Sequence, residues 1–197
     1  MSEAATPVAP LAVSSAEEPV HAPQPLIGID PTGVYGMITL RGDLASDIFA
    51  AAVDEAVGLP VPSTLTVVSD GDARVVWMSP DEVLLFTSYG EADAAVARID
   101  EQMGAEHHMA LNVSDARVVI RLTGDRVGEV LAKGAPCDCS DHGFPIGTAR
   151  RTHMAGLAVA FWRLDTDIWE IVALRSYAGH LLAWLEQTAQ PGAEVFS

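Results

Sequence analysis

A chain of 197 residues, 49% of them hydrophobic, has enough apolar material for one core or for two closely packed halves. Its formal net charge of −16 and pI near 4.5 exclude a nucleic-acid backbone or an anionic bilayer as the natural partner, because both would repel it. Two cysteines in a chain of this size exclude a disulfide-dependent scaffold and point to a reducing compartment, the cytoplasm.

Residues Met1 to Pro25 are rich in Ala, Pro, Val and Glu, and Pro7, Pro10, Pro19, Pro23 and Pro25 come too densely for a helix. The first arginine is Arg41, so no basic leader is expected in this stretch, and no apolar run approaches membrane-spanning length. Two readings stay open for 1–25: a disordered tail, or an extended arm lying across another subunit. Residues 26–197 are expected to form one domain with halves at roughly 33–104 and 110–188.

In the first half, Gly36 to Asp43 reads as a strand running into a turn, with Asp43 placed to cap a helix whose apolar face is Leu44, Ile48, Phe49, Ala52, Val53 and Ala56. Gly58 and Pro60 stop that helix. Arg41-Gly42-Asp43 is therefore a strand end and a cap rather than an adhesion tripeptide. Thr64–Ser69 and Ala73–Met78 form a predicted hairpin around Asp70-Gly71, and Val83–Thr87 adds a third strand. Ala92, Val96, Ile99 and Met103 mark the buried stripe of a closing helix, after which Ala105 to Ser114 joins the halves.

The second half repeats this order. Val118, Ile120 and Leu122 alternate with Arg117, Val119 and Arg121, Thr123-Gly124 turns the chain, and Asp125 is expected to cap a helix carrying Val127, Val130 and Leu131. Ile38, Leu40 and Gly42-Asp43 match Ile120, Leu122 and Gly124-Asp125 at a constant offset. WMSPDEVLLF from Trp77 lines up without a gap with WRLDTDIWEI from Trp162. Ala135 to Arg151, with Pro136, Gly143, Pro145 and Gly147, is expected to be an irregular loop. Strands follow at Leu157–Leu164 and Ile168–Leu174 around Asp165-Thr166-Asp167, then a helix with a stripe of Tyr177, Leu181, Trp184 and Leu185. The fold class is α+β: two similar βαββα-like halves related by a pseudo-twofold, expected to unfold together.

Cys137, Cys139 and His142 suggest a zinc site, with His107, His108 or His153 as a fourth ligand, but a C-x-C pair with one histidine is an incomplete set. A cysteine nucleophile lacks the surroundings that would activate it. The His107-His108 pair sits at a predicted helix C-terminus, where a cation is favoured. Neither G-x-G-x-x-G nor G-K-[ST] occurs, and the carboxylates are dispersed over helix faces and turns. The residues give no catalytic, cofactor-binding or metal-binding set.

The run from Ala110 to Leu185 resembles the gamma subunit of heterotetrameric sarcosine oxidase. The marks are Ser114-Asp115-Ala116-Arg117, Leu131-Ala132-Lys133-Gly134 followed by Cys137 and Asp138, Phe144-Pro145 with Gly147, Arg151-Thr152, and Arg175-Ser176-Tyr177. The likeness is looser over 29–103, and 1–25 matches nothing specific. It implies a fold similar to the folate-binding core of the glycine-cleavage aminomethyltransferase. It also implies an αβγδ assembly that oxidatively demethylates sarcosine to glycine, with hydrogen peroxide and a one-carbon unit as formaldehyde or methylenetetrahydrofolate. By the resemblance, FAD, FMN, NAD and tetrahydrofolate belong to the larger subunits and zinc to the delta subunit, and gamma carries no catalytic step. The alternative is a free-standing folate-dependent one-carbon enzyme or carrier of the same superfamily. Against it, the K-G-C-Y-x-G-Q-E signature of one folate-binding branch is absent, the nearest stretch being Lys133-Gly134-Ala135-Pro136-Cys137.

Overall fold

The computed structural model describes residues 24–31 and 33–193. The Pro-rich segment, but for Gln24 and Pro25, lies outside them. The strands are β1 (Gly28–Asp30), β2 (Gly36–Arg41), β3 (Val67–Asp70), β4 (Ala73–Ser79), β5 (Glu82–Thr87), β6 (Met109–Asn112), β7 (Arg117–Thr123), β8 (Ala149–Met154), β9 (Leu157–Asp165) and β10 (Ile168–Leu174). The helices are α1 (Asp47–Val57), α2 (Ala92–Met103), α3 (Val127–Ala132) and α4 (Ala178–Thr188).

Two antiparallel five-stranded sheets stack face to face, one ordered β6-β2-β5-β4-β3 and the other β1-β7-β10-β9-β8. Period-two alternation sends one face of each sheet to its own helices and the other to the opposite sheet. Ile38, Leu40, Val75, Val83 and Leu85 pack with Phe49, Val53 and Ile99 of α1 and α2, while Ile120, Leu122, Phe161 and Ile171 pack with Val130, Leu131 and Leu181 of α3 and α4. Met37, Val76, Leu84, Phe86, Val119, Ala160, Trp162 and Val172 fill the layer between the sheets. The result is four layers, helix-sheet-sheet-helix, with three apolar seams.

The two sheets share one strand order, as the internal repeat requires, but the leading strands are exchanged. β1 precedes β2 in the chain yet pairs with β7, Gly28 opposite Thr123, in the second sheet. β6 precedes β7 yet pairs with β2, Leu111 opposite Thr39, in the first. Ser114 pins this crossover: its Oγ accepts from Met37 N–H at 2.9 Å and donates to Asn112 Oδ1 at 2.6 Å. At the other edge the sheets are stitched together, Val67 N–H donating to Gly147 O and Ala149 N–H to Leu65 O, both at 2.8 Å.

Several local expectations are corrected. The cap of α1 is Ser46, whose Oγ accepts from Ile48 and Phe49 N–H at 3.2 and 3.4 Å, a contribution of about 1 kcal/mol. Asp43 instead accepts from Ala45 N–H one turn earlier. No side chain caps α3, so Asp125 is not its cap. Gly58 does end α1, at φ 70°. The stretch expected to be loop to Arg151 gives way to β8 at Ala149, because Ala155-Gly156, at φ 51° and 82°, make a left-handed two-residue turn that folds β8 onto β9. In α4 the buried face is Leu181, Leu182 and Leu185, with Trp184 half-buried; Tyr177 lies in the preceding turn, exposed.

Candidate functional site

The inward face of a strand in this fold meets another sheet, so a charged residue there must find a partner or leave its charge unsolvated. Two groups of charges stand in the inter-sheet layer, separated by the apolar side chains of Val119, Ala160, Val172, Val76 and Leu84.

The first is sealed around Glu170 and Arg74 and reaches water only through Arg121, whose side chain is 37% exposed. Glu170 of β10 is fully buried and Arg74 of β4 nearly so. Arg74 Nη2 donates to Glu170 Oε1 at 2.9 Å, and its Nε lies 2.8 Å from Oε2. Arg121 Nη2 donates to Oε1 at 2.9 Å and Trp162 Nε1 to Oε2 at 3.0 Å. Tyr35 and Phe86 pack on the Arg74 guanidinium, 5.0 and 5.5 Å from their ring centres. The hydrogen bond to Glu170 raises the pKa of Arg121 above the ordinary arginine value.

The second group is open. Glu82, buried at the start of β5, faces Arg151 Nη1 of β8 at 3.3 Å and Arg117 Nη2 of β7 at 3.9 Å. Arg117 also donates to Thr39 Oγ1 at 3.2 Å. Burial lowers the Arg117 pKa; Glu82 opposes this and the like charge of Arg151 adds to it. Beside these charges runs an open groove of about 180 Å³ between Met78, Ala158, Ala160, Val172 and Leu174. Leu174 is 48% exposed, and on β6 Leu111 and Met109 are 53% and 42% exposed. An apolar trough beside two arginines that share one carboxylate can receive an apolar group linked to an anion.

The cysteine loop, between α3 and β8, holds Cys137 and Cys139 with their Sγ atoms 3.7 Å apart. Burial, followed by the Cys137 neighbour, pushes the Cys139 thiol up, disfavouring the thiolate that would attack a substrate or bind a metal. His142, His107 and His153 are exposed. His108 bonds Glu106 O and Asp100 Oδ1, at 2.8 and 3.0 Å, beside the last turn of α2. Among the described residues no three His, Cys, Asp or Glu side chains come together as metal ligands would. A cleft of about 400 Å³ opens between α3 and this loop, but Arg163 on its wall is already engaged by Asp141 Oδ1 and by the carbonyls of Phe144, Asp165 and Thr166.

Reading the sequence alone missed both arginine groups. Part of their signal was present: Arg74, Arg117, Arg121 and Glu170 stand in runs expected to be strands, whereas Glu82 lies just before the strand expected at Val83–Thr87 and Arg151 ends an expected loop. A period of two places them on one face without saying that another sheet covers that face.

Residues 41–191 match the family model described as sarcosine oxidase, gamma subunit family. A sarcosine oxidase subunit gamma from Corynebacterium sp. (strain P-1) is 33% identical over 138 residues, covering 68% of this chain and 66% of that one. Its counterpart from strain U-96 is 31% identical over the same shares. This chain thus spans just under two thirds of the length of these relatives. Among solved structures, a chain of heterotetrameric sarcosine oxidase from Corynebacterium sp. U-96, in complex with pyrrole 2-carboxylate, superposes with a TM-score of 0.77 at 25% identity, covering 89% of this chain and 90% of that one. The glycine cleavage system aminomethyltransferase T from Bartonella henselae shares the fold, with a TM-score of 0.57 at 16% identity over 82% of this chain and 46% of that one.

Proposed function

The chain belongs to the sarcosine oxidase gamma subunit family, and we propose that it serves as the non-catalytic gamma subunit of a heterotetrameric sarcosine oxidase, in the cytoplasm, with alpha, beta and delta partners. In that assembly sarcosine, oxygen and water give glycine, formaldehyde and hydrogen peroxide; with tetrahydrofolate as acceptor the one-carbon unit leaves as methylenetetrahydrofolate. FAD, FMN, NAD, tetrahydrofolate and zinc belong to the other subunits on this reading. The observation that carries it is the family match over residues 41–191. The engagement of Arg74, Arg121 and Arg163 with carboxylates of the same chain supports it, since cations so paired are not held ready for a substrate.

The test is co-expression of this chain with the flavoprotein and small subunits of a heterotetrameric sarcosine oxidase. We expect one complex that oxidises sarcosine, and an isolated chain that is colourless and turns over nothing. Flavin absorbance or sarcosine turnover by the isolated chain would overturn the reading. The aminomethyltransferase-like fold favours the second reading, a free-standing folate enzyme; quenching of tryptophan fluorescence by tetrahydrofolate in the isolated chain would support it. Residues 1–25 are proposed as an arm on a partner, so deleting 1–23 should lower recovery of the complex and leave the melting curve of this chain unchanged.

A further inference from the structure

The open end of the inter-sheet layer has unfinished chemistry. Arg74, Arg121 and Arg163 each hold a carboxylate oxygen at 2.7–2.9 Å. Among the described residues Arg117, although mostly buried, has only the neutral Thr39 hydroxyl at hydrogen-bond distance, and Glu82 stands off at 3.9 Å. Arg151 shares that same carboxylate. Two guanidinium groups face one anion, a local positive excess in a chain of net charge −16.

Apolar surface flanks this excess in the strand register itself. Leu111 pairs with Thr39, Thr39 Oγ1 accepts from Arg117, and Arg117 pairs with Leu174. A single line thus crosses from one sheet to the other, with a half-exposed leucine at each end and an arginine between. Leu111 and Met109 lie on β6, at the edge of its sheet, where soluble proteins usually place charges to prevent association.

We propose that this line is the docking surface for an extended acidic segment of a partner subunit, placing one large apolar side chain in the groove of Met78, Ala158, Ala160, Val172 and Leu174 and one carboxylate between Arg117 and Arg151. The inference rests on the subunit reading above and adds where and by what chemistry the partner is held. The groove is too open to enclose a metabolite, whose pocket buries most of its surface. A second copy of this chain would bring another −16 against the first. An acidic segment that leaves its own apolar side chain behind satisfies the charge and the leucines together.

The experiment compares three full-length variants, each co-expressed with the other subunits: Arg151→Glu, Leu174→Asp, and Ile48→Asp as a control on the exposed face of α1. Arg151 and Leu174 are half exposed, so the isolated variants should melt within about 4 °C of the parent. Arg151→Glu and Leu174→Asp are each expected to lower recovery of the complex roughly tenfold or more, with Ile48→Asp recovered as the parent is. Should either groove variant melt early, Leu111→Asp at the far end of the line provides the same reading. Normal recovery of the groove variants with the parent complex intact would overturn the docking site and leave the subunit role standing. Failure of the parent chain itself to co-purify would overturn both.

Discussion

The sealed cluster at Glu170 and the open one at Glu82 use the same parts, one carboxylate between two arginines, in the same inter-sheet layer. They differ in access to water. At Glu170, every oxygen is met within 3.0 Å and aromatic rings close over Arg74. At Glu82 the contacts are 3.3 and 3.9 Å, and the side chain of Arg151 is 54% exposed. Charge in a protein interior is tolerated by completing its coordination, and incomplete coordination is tolerated only where solvent or a partner can reach it. The first arrangement fixes how the sheets align; the second leaves capacity for something outside the chain.

The largest expected effect separates the two clusters directly. Glu170→Ala leaves Arg74 buried without an anion and should cost about 3–5 kcal/mol, whereas Glu82→Ala, whose nearer arginine Arg151 is half exposed and whose other, Arg117, keeps the Thr39 hydroxyl, should cost about 1 kcal/mol. Urea unfolding of the two variants measures this, and equal costs would break the comparison. Replacing the sealed group as a whole sharpens it. Arg74→Met, Arg121→Met and Glu170→Leu together should stay within about 2 kcal/mol of the parent, because the desolvation penalty goes with the charges, though Trp162 Nε1 loses its acceptor. Greater loss would mean that the cluster contributes stability in its own right.

How far these differences could be read from the sequence varies by element. The repeated Gly-Asp turns and tryptophan segments fall on strands that hold the same places in the two sheets, and Asp70-Gly71 and Asp165-Thr166 sit at the tips of the β3–β4 and β9–β10 hairpins, because short-range turn chemistry is local. The exchange of β1 and β6 was not legible: three or four residues of mixed polarity fix no partner, and pairing across the halves is decided by the assembled layer. The Ala135–Arg151 reading failed at its end for a related reason. β8 alternates Ala149, Arg151 and His153 with Arg150, Thr152 and Met154, a pattern that becomes a strand only when β9 is beside it. The open arginine group was invisible because Glu82, Arg117 and Arg151 come from three distant segments.

The cysteine loop, remote from both clusters in the chain, serves as the control. Replacing Cys137 and Cys139 with serine should cost about 1–2 kcal/mol, for burying a hydroxyl at position 139, and leave metal content and recovery of the complex as in the parent. Loss of stoichiometric zinc on this substitution would show that the loop is a metal site. The smallest effect is at His108. Hydrogen bonding to Glu106 O, and then to Asp100, raises its pKa above 6.5 in the folded chain, so its contribution is fully present below pH 6.5 and fades as pH rises through the folded value. His108→Gln should therefore lower the melting temperature slightly at pH 5.5 and not at pH 8.5; the opposite order would show that the imidazole is held neutral.

The exchange of leading strands sets an order of events during synthesis. The sheet that β6 completes has all five strands once residue 112 has left the ribosome, and α1 and α2 are already made, so the first half can close on itself early. β1, made before any of these, has no mate until β7 appears. Of the described strands, the first translated is thus among the last to be paired. During that interval its unfilled edge is open to β7 of a neighbouring nascent chain as well as its own, the route by which an intertwined dimer would form.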